Sequence, residues 1–152
     1  MQTRRDALKQ SVIVAGMLAS TGLFPQYAVA AYNKPAFEAK TLAEVLKALG
    51  AGAPVESKDV TIGAPDIAEN GAVVPLTAST NLPGVKQMLL LVEKNPSALV
   101  AIFNITDSVE PSVATRAKMG QSSDVYAVAV MADGKALYAK KEVKVTLGGC
   151  GG

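Results

Sequence analysis

From residue 59 onward the chain is a series of short, valine-rich segments separated by Pro, Gly, Asn and Asp. Such segments are typical of β-strands, because β-branched side chains suit a pleated sheet and the separating residues suit turns. We predict strands over seven ranges: 59–63, 72–78, 87–93, 99–106, 113–118, 124–131 and 135–147. Seven short strands without intervening helices predict a mainly β fold, an immunoglobulin-like antiparallel β-sandwich, with a small barrel as the alternative.

Four turn signals separate these predicted strands. Proline and glycine set the backbone in conformations that end a strand, and Asn and Asp side chains bond to nearby backbone groups. We expect turns at Pro65-Asp66, Pro83-Gly84, Asn95-Pro96 and Asp133-Gly134. The Asp-Gly pair favours a two-residue hairpin that joins the last two strands.

One helix is predicted before the strands, from about Leu42 to Leu49. Thr41 suits the N-cap position and Glu44 stands at the third helical position, which is the pattern of a capping box. Gly50 suits the position after the last turn. Four apolar residues recur at the spacing of one helix face: Leu42, Val45, Leu46 and Leu49. The sequence therefore predicts a single amphipathic N-terminal helix.

Residues 1–30 have the three-part layout of a cleavable export signal. Arg4 and Arg5 form a basic start, an apolar run follows, and the small residues of 28–30 provide a cleavage site. The arginine pair favours the twin-arginine route, although Ala7 stands where phenylalanine is usual. A transmembrane helix is the alternative, but the apolar run is shorter than the roughly 20 residues that span a bilayer.

Export would place the mature domain, residues 31–147, in the periplasm without a membrane anchor. The signal contains three of the chain's 15 basic residues and one of its 13 acidic residues, so the mature chain is formally neutral. It has no basic stripe with interleaved aromatic residues, and nucleic acid is therefore not an expected partner.

The sequence contains no constellation for catalysis or metal binding. It has no histidine and one cysteine, so it lacks the commonest general base and has too few soft ligands for a tight zinc or copper site. Met88, Met119 and Met131 are widely spaced and are expected in the core. We therefore predict a protein that is not an enzyme and that holds no metal and no other cofactor.

The charged residues of the predicted domain are assigned to the solvent. Neither of two carboxylate pairs has a nucleophile or a proton-transfer group beside it: Asp66 with Glu69, and Asp107 with Glu110. Three lysines are expected on the exposed side of the last strand, with guidance of an anionic partner or adduct as the less favoured role: Lys140, Lys141 and Lys144.

The one cysteine of the chain, Cys150, is surrounded by glycines. Glycine has no side chain to hold a neighbour in a core, so the segment 148–152 is predicted to be a flexible arm. A free thiol has a pKa of about 8.5, and its activation must come from a pocket that the arm enters. This pattern is typical of a carrier that is presented to enzymes. A disordered terminus with an accidental cysteine is the alternative.

The last eight residues, VTLGGCGG, resemble the C-terminal swinging arm of the SoxY family, the sulfur-carrier subunits of the periplasmic thiosulfate-oxidising Sox system. The signal, the mature length, the single helix and the all-β body agree with this family along essentially the whole chain. The resemblance implies that Cys150 carries sulfur intermediates covalently. It also implies that four glycines allow the arm to enter enzyme channels: Gly148, Gly149, Gly151 and Gly152.

The same resemblance implies the partners. A haem enzyme would join thiosulfate oxidatively to Cys150, a hydrolase would release sulfate, and a sulfur dehydrogenase would oxidise the remaining sulfane sulfur. A SoxZ-like small β-sandwich subunit would form a heterodimer or heterotetramer with the chain. The twin-arginine route fits such a complex because it exports folded proteins.

Two other functions are compatible with the residues. A ubiquitin-like thiocarboxylate carrier also ends in Gly-Gly, but its activation consumes ATP, which the periplasm does not supply. An exported β-sandwich docking module would instead be tethered to a partner by an intermolecular disulfide at Cys150. The chemical identity of the group on Cys150 distinguishes such a tether from a sulfur carrier.

Overall fold

The computed structural model of the chain describes residues 33–146. The predicted export signal, 1–30, and the predicted arm, 148–152, lie outside the described residues. Within this range, no helix has the length and apolar character needed to cross a bilayer. Two helices come first: α1 (Lys34–Glu38) and α2 (Leu42–Ala48). Nine strands follow: β1 (Pro54–Glu56), β2 (Val60–Gly63), β3 (Ile67–Ala68), β4 (Val74–Thr80), β5 (Val85–Val92), β6 (Leu99–Asn104), β7 (Ser112–Ala117), β8 (Ser123–Met131) and β9 (Ala136–Val145).

The strands form two sheets, and all seven predicted strands are present. The larger sheet has the order β1-β9-β8-β5-β6, with β3 also paired to β9, and the smaller sheet has the order β2-β4-β7. The long strands pair antiparallel throughout. Neither sheet closes on itself, so the β-sandwich is confirmed and the barrel alternative is wrong.

Three short elements were not predicted. Strands β1 and β3 pair parallel with two different parts of β9, so the antiparallel description holds for the long strands alone. Helix α1 is capped by Asn33, whose side-chain oxygen accepts a hydrogen bond from the Ala36 N–H at 3.2 Å. The prediction of one N-terminal helix is therefore corrected to two. Elements of two to five residues are too short to show a hydrophobic period.

Helix α2 confirms the predicted capping box. The Glu44 N–H donates to Thr41 Oγ1 at 3.3 Å, and the Thr41 N–H donates to a Glu44 carboxylate oxygen at 3.2 Å. A further hydrogen bond from the Lys40 N–H to the same carboxylate is the main reason that the pKa of Glu44 is lowered. Gly50 has φ +71°, a conformation that glycine adopts without strain after a helix.

The larger sheet lies between two apolar layers, because side chains alternate between the faces of a strand. One face packs against the smaller sheet, through residues that include Leu76, Met88, Leu90, Val125 and Val143. The other face packs against the helices, through residues that include Val45, Leu46, Leu89, Leu91 and Val128. The fold therefore has three layers: helices, larger sheet and smaller sheet.

The β8–β9 hairpin differs from the predicted two-residue turn. The Gly134 N–H donates to the Met131 carbonyl, and the Met131 N–H donates to the Lys135 carbonyl, so three residues connect the paired positions. Gly134 has φ +85°, whereas no described residue other than glycine has a positive φ. A type I′ turn would need a positive φ at Asp133 as well, and the three-residue turn avoids that strain.

Candidate functional site

The predicted site residues lie outside the described part of the chain. These are Cys150 of the predicted arm, its glycines Gly148, Gly149, Gly151 and Gly152, and the export-signal arginines Arg4 and Arg5. The described residue nearest to Cys150 in sequence is Thr146, which directly follows β9. The candidate site described here is therefore the end of β9, from which the chain continues to Cys150.

Strand β9 extends beyond the strand that pairs with it on one side. Its antiparallel pairing with β8 ends where Ser123 lies opposite Val143. At the next bonding position, the Val145 N–H donates to the side-chain Oγ of Ser122 at 2.9 Å. A serine hydroxyl therefore takes the place of the backbone acceptor that a longer β8 would provide.

The other side of the β9 end is held by the parallel strand β3. The Lys144 N–H donates to the Asp66 carbonyl at 3.0 Å, and the Thr146 N–H donates to the Ala68 carbonyl at 3.1 Å. The last three residues before the undescribed segment thus alternate between two supports. Neither support is predicted from the sequence, because a two-residue strand and one serine side chain leave no periodic signal.

Gly71 closes this end of the sandwich beneath β9. Its carbonyl accepts a hydrogen bond from the Met119 N–H at 2.7 Å, and Met119 is fully buried. A Cβ at position 71 would lie 2.4 Å from the Met119 carbonyl oxygen and 2.8 Å from Cγ1 of Val145. The close approach of three chain segments therefore requires glycine at this position.

The three lysines of β9 do not share one face, in contrast to the prediction. Lys140 and Lys144 lie on the side of the helices, whereas Lys141 lies on the face that packs against the smaller sheet, because successive strand residues point to opposite faces. The Lys141 ammonium donates to the Ala64 carbonyl at 2.6 Å and lies 2.9 Å from an oxygen of Asp66. It therefore ties the segment leading into β3 to β9.

Lys140 and Lys144, the two lysines on the helix side of β9, differ in their partners. Lys140 Nζ lies 3.6 Å from a carboxylate oxygen of Asp124 on β8. Lys144 is exposed, and among residues 33–146 no carboxylate forms an ion pair with it. Close to the end of β9, Lys144 is thus the lysine of this strand whose charge is available to an anionic group.

Tyr126 lies on the face of β8 that packs against the helices, away from the β9 end. Its hydroxyl is 3.4 Å from a Glu93 carboxylate oxygen, and its ring centroid is 5.8 Å from that of Tyr138. Partial burial, followed by the negative charges of Glu93 and Asp124, raises the pKa of Tyr126 to about 12. This phenol stays protonated at neutral pH and provides no proton-transfer group for a site.

The described residues bring together no catalytic or metal-binding cluster. No group of three or more His, Cys, Asp or Glu residues within 33–146 is placed to hold a metal ion. Of the predicted carboxylate pairs, Asp66 has the ion pair with Lys141, while Glu69, Asp107 and Glu110 are exposed. Three methionines occupy the predicted positions: Met88 and Met119 are fully buried, and Met131 packs at the edge of the core.

An open polar depression lies at the far end of the smaller sheet. Its lining includes Thr80, Asn81, Glu110 and Pro111, and its volume is about 480 Å³. Gly71 and Met119 lie near the opposite end of the same sheet, where Val74 pairs with Ala117. The depression is therefore not part of the β9 end.

Comparison with protein families gives a match to the family described as "Sulfur oxidation protein SoxY", over residues 45–150. The matched range covers all of β1 to β9 and includes Cys150. A comparison with curated proteins finds no significant match.

Among solved structures, the sulfur carrier protein SoxY from Chlorobium limicola f thiosulfatophilum is 37% identical, with a TM-score of 0.56. The similarity covers 62% of this chain and 84% of that chain. A superoxide reductase (neelaredoxin) from Ignicoccus hospitalis is 20% identical, with a TM-score of 0.51, over 57% of this chain and 79% of that chain. The second similarity concerns the sandwich fold alone.

Proposed function

The chain belongs to the SoxY family of sulfur oxidation proteins, and we propose on this premise that it is a covalent sulfur carrier whose attachment site is Cys150. The observation that carries the proposal is the extent of the family match, which continues through residue 150. Cys150 is also the one cysteine of the 152 residues, so no other thiol competes for the role.

The proposed loading step forms a sulfur–sulfur bond. The Cys150 thiolate and the sulfane sulfur of thiosulfate join, and two electrons leave to the haem enzyme, which gives a cysteine S-thiosulfonate. Water then attacks the terminal sulfonate in a hydrolase, which releases sulfate and leaves a persulfide on Cys150. A sulfur dehydrogenase oxidises the outer persulfide sulfur to a sulfonate: three water molecules supply the oxygen atoms, six electrons leave to the dehydrogenase, and the protons leave to the solvent. A second hydrolysis releases this sulfonate as sulfate and restores the Cys150 thiol.

The chain itself is proposed to act as the bound substrate of these enzymes and not as a catalyst. It has no imidazole for proton transfer. We expect the thiol to be activated in the pocket of the partner enzyme, because a free thiol is mostly protonated at neutral pH. No cofactor is needed beyond the sulfur adducts on Cys150.

The location and the subunit partner follow from the same premise. We propose that Arg4 and Arg5 direct export through the twin-arginine route to the periplasm, where thiosulfate is oxidised. A SoxZ-like subunit is the proposed partner in a heterodimer or heterotetramer. The glycines on each side of Cys150 are proposed to let the arm pass through a narrow channel, because side chains at these positions would make the arm wider.

The test is genetic complementation in a thiosulfate-oxidising bacterium that lacks its own SoxY. The complete chain is expected to restore thiosulfate oxidation, and the Cys150→Ser variant is expected not to, because a hydroxyl cannot form the sulfur–sulfur bond. A matched control adds Ser108→Cys, on an exposed loop, to the Cys150→Ser variant. Restored oxidation with either serine variant would refute the proposal that Cys150 carries the sulfur.

A further inference from the structure

The end of β9 is held more firmly than its pairing with β8 requires. Beyond Val143, β8 supplies no backbone partner, and a strand in this position would be expected to fray. Instead, three consecutive residues of β9 and its extension donate hydrogen bonds, in turn, to Asp66, Ser122 and Ala68. The supports come from two separate segments of the chain, so the end of β9 is fixed from both sides.

Two further contacts connect these supports to the rest of the domain. Lys141 binds the Ala64 carbonyl and the Asp66 carboxylate, and so holds the segment that leads into β3. Gly71, shortly after β3, is buried and bonded to Met119. Strand β3 is therefore fastened on both sides, although it has two residues.

We propose that Ser122 and β3 are positioning elements that fix, at Thr146, the point from which the segment bearing Cys150 leaves the domain. This inference deepens the proposed function and rests on it for its purpose, but the anchoring itself is measurable without sulfur chemistry. Ser122 supplies the side-chain contact and β3 supplies the backbone contacts.

The hydrogen bonds donated by Lys144, Val145 and Thr146 together form the β9 anchor, which sets the reach of the thiol. Cys150 is four residues beyond Thr146, and an extended chain spans at most ~3.5 Å per residue, so the two Cα atoms are at most about 14 Å apart. Release of the strand back to Val143 would lengthen the free segment to seven residues, with a reach of about 25 Å. The effective concentration of the thiol at a docked enzyme's channel falls roughly as the −3/2 power of this length, which gives a decrease of about twofold to threefold.

Two variants remove different halves of the anchor. Ser122→Ala deletes the acceptor of the Val145 N–H, whereas Ser122→Thr keeps a hydroxyl at the same position. Thr146→Pro deletes the N–H that donates to Ala68, and Thr146 is exposed, so the core is unaffected. Ser57→Ala is the matched control, because Ser57 Oγ accepts a backbone hydrogen bond from Asp59 at 3.1 Å elsewhere in the fold.

The experiment attaches a nitroxide spin label to Cys150 of the exported chain and measures its rotational mobility and the hydrogen exchange of the Val145 amide. Ser122→Ala and Thr146→Pro are expected to raise the label mobility, and Ser122→Ala is expected to speed the exchange. Ser122→Thr and Ser57→Ala are expected to behave as the unchanged chain. Unaltered mobility and exchange in Ser122→Ala and unaltered mobility in Thr146→Pro would overturn the anchor.

A kinetic measurement links the anchor to carriage. With the thiosulfate-loading haem enzyme, kcat/KM for the chain that combines Ser122→Ala with Thr146→Pro is expected to fall by up to about twofold to threefold. Ser122→Ala alone, which keeps the bonds to β3, is expected to lose less, with recovery in Ser122→Thr. In another outcome, the label responds as expected while neither the unchanged chain nor any variant accepts sulfur. That outcome would retain the anchor and refute the carrier role. Full kcat/KM in the combined variant, despite a more mobile label, would refute the positioning role.

Discussion

The backbone N–H of Thr146 donates to the carbonyl oxygen of Ala68 at 3.1 Å, so the last described residue of the chain is bound to the shortest strand of the larger sheet. Ala68 is buried, and its strand lies between the Lys141 contacts and Gly71. The bond therefore connects the segment that continues to Cys150 with a fixed part of the domain. It places Thr146, from which the chain continues to Cys150, at one defined end of the sandwich.

Gly71→Ala is expected to destabilise the domain by about 1–3 kcal/mol, because the new methyl group would overlap the Met119 carbonyl oxygen and Val145. Gly120→Ala is the matched control, since a Cβ at Gly120 would have no atom within 4 Å. The control is expected to change the free energy of unfolding by less than about 0.5 kcal/mol. Urea denaturation measures both, and equal effects of the two substitutions would contradict the close approach at Gly71.

Met88→Ala is expected to lower the free energy of unfolding by about 2–5 kcal/mol, because Met88 is fully buried between the two sheets. Met131→Ala removes the same atoms from a position that is only partly buried, and a smaller loss is expected. Chemical denaturation of the two variants gives the comparison. A loss at Met131 equal to that at Met88 would contradict the core described here.

Glu44→Gln is expected to destabilise the chain at neutral pH and to matter less in acid. Hydrogen bonds from the Lys40 and Thr41 N–H groups lower the pKa of Glu44 in the folded state, so its ionised form stabilises the fold. That contribution is present above the unfolded-state pKa and is lost as the pH falls through the lower, folded-state pKa.

The stability difference between the unchanged chain and Glu44→Gln should therefore shrink below about pH 4. Denaturation midpoints measured from pH 7 downward test this, with the exposed Glu110→Gln variant as the control. A difference that stays constant with pH would show that the charge of Glu44 contributes nothing to the cap.

Replacement of Arg4 and Arg5 by lysine is expected to leave the chain uncleaved in the cytoplasm, because the twin-arginine machinery reads the arginine pair. Fractionation of cells and immunoblotting measure the location and the size of the chain. Normal amounts of cleaved lysine variant in the periplasm would contradict this route of export.

The sequence predicted the elements whose signals are repeated along the chain. Seven valine-rich segments correspond to the seven long strands, and the Thr41 and Glu44 pair marked the start of α2. The parallel strands β1 and β3 were missed because their partner is β9, more than 70 residues away, and no local pattern records such a pairing. Asp133-Gly134 marked the hairpin but not its length, since φ at Asp133 depends on the strands that flank it.

The candidate site could be predicted from the sequence only in part, because only some of its residues stand out by type. Cys150 and its glycines stand out by residue type alone, and the prediction that they form a carrier arm remains a prediction, because they lie outside residues 33–146. Ser122 has no such signal, since one serine in a loop has many roles and its bond to Val145 exists only in the folded chain. The placement of Lys141 on the face toward the smaller sheet was missed because the sequence does not show which layer packs against each face of β9.

The measurement that tests the central claim most directly is the mass of the chain purified from thiosulfate-fed cells, with the adduct located by peptide mapping. We expect a reductant-sensitive adduct of sulfane and sulfonate groups on the peptide that contains Cys150, and no adduct on the Cys150→Ser chain. An unmodified Cys150 in cells that are oxidising thiosulfate, or a partner polypeptide as the only group bound to it, would contradict the carrier role.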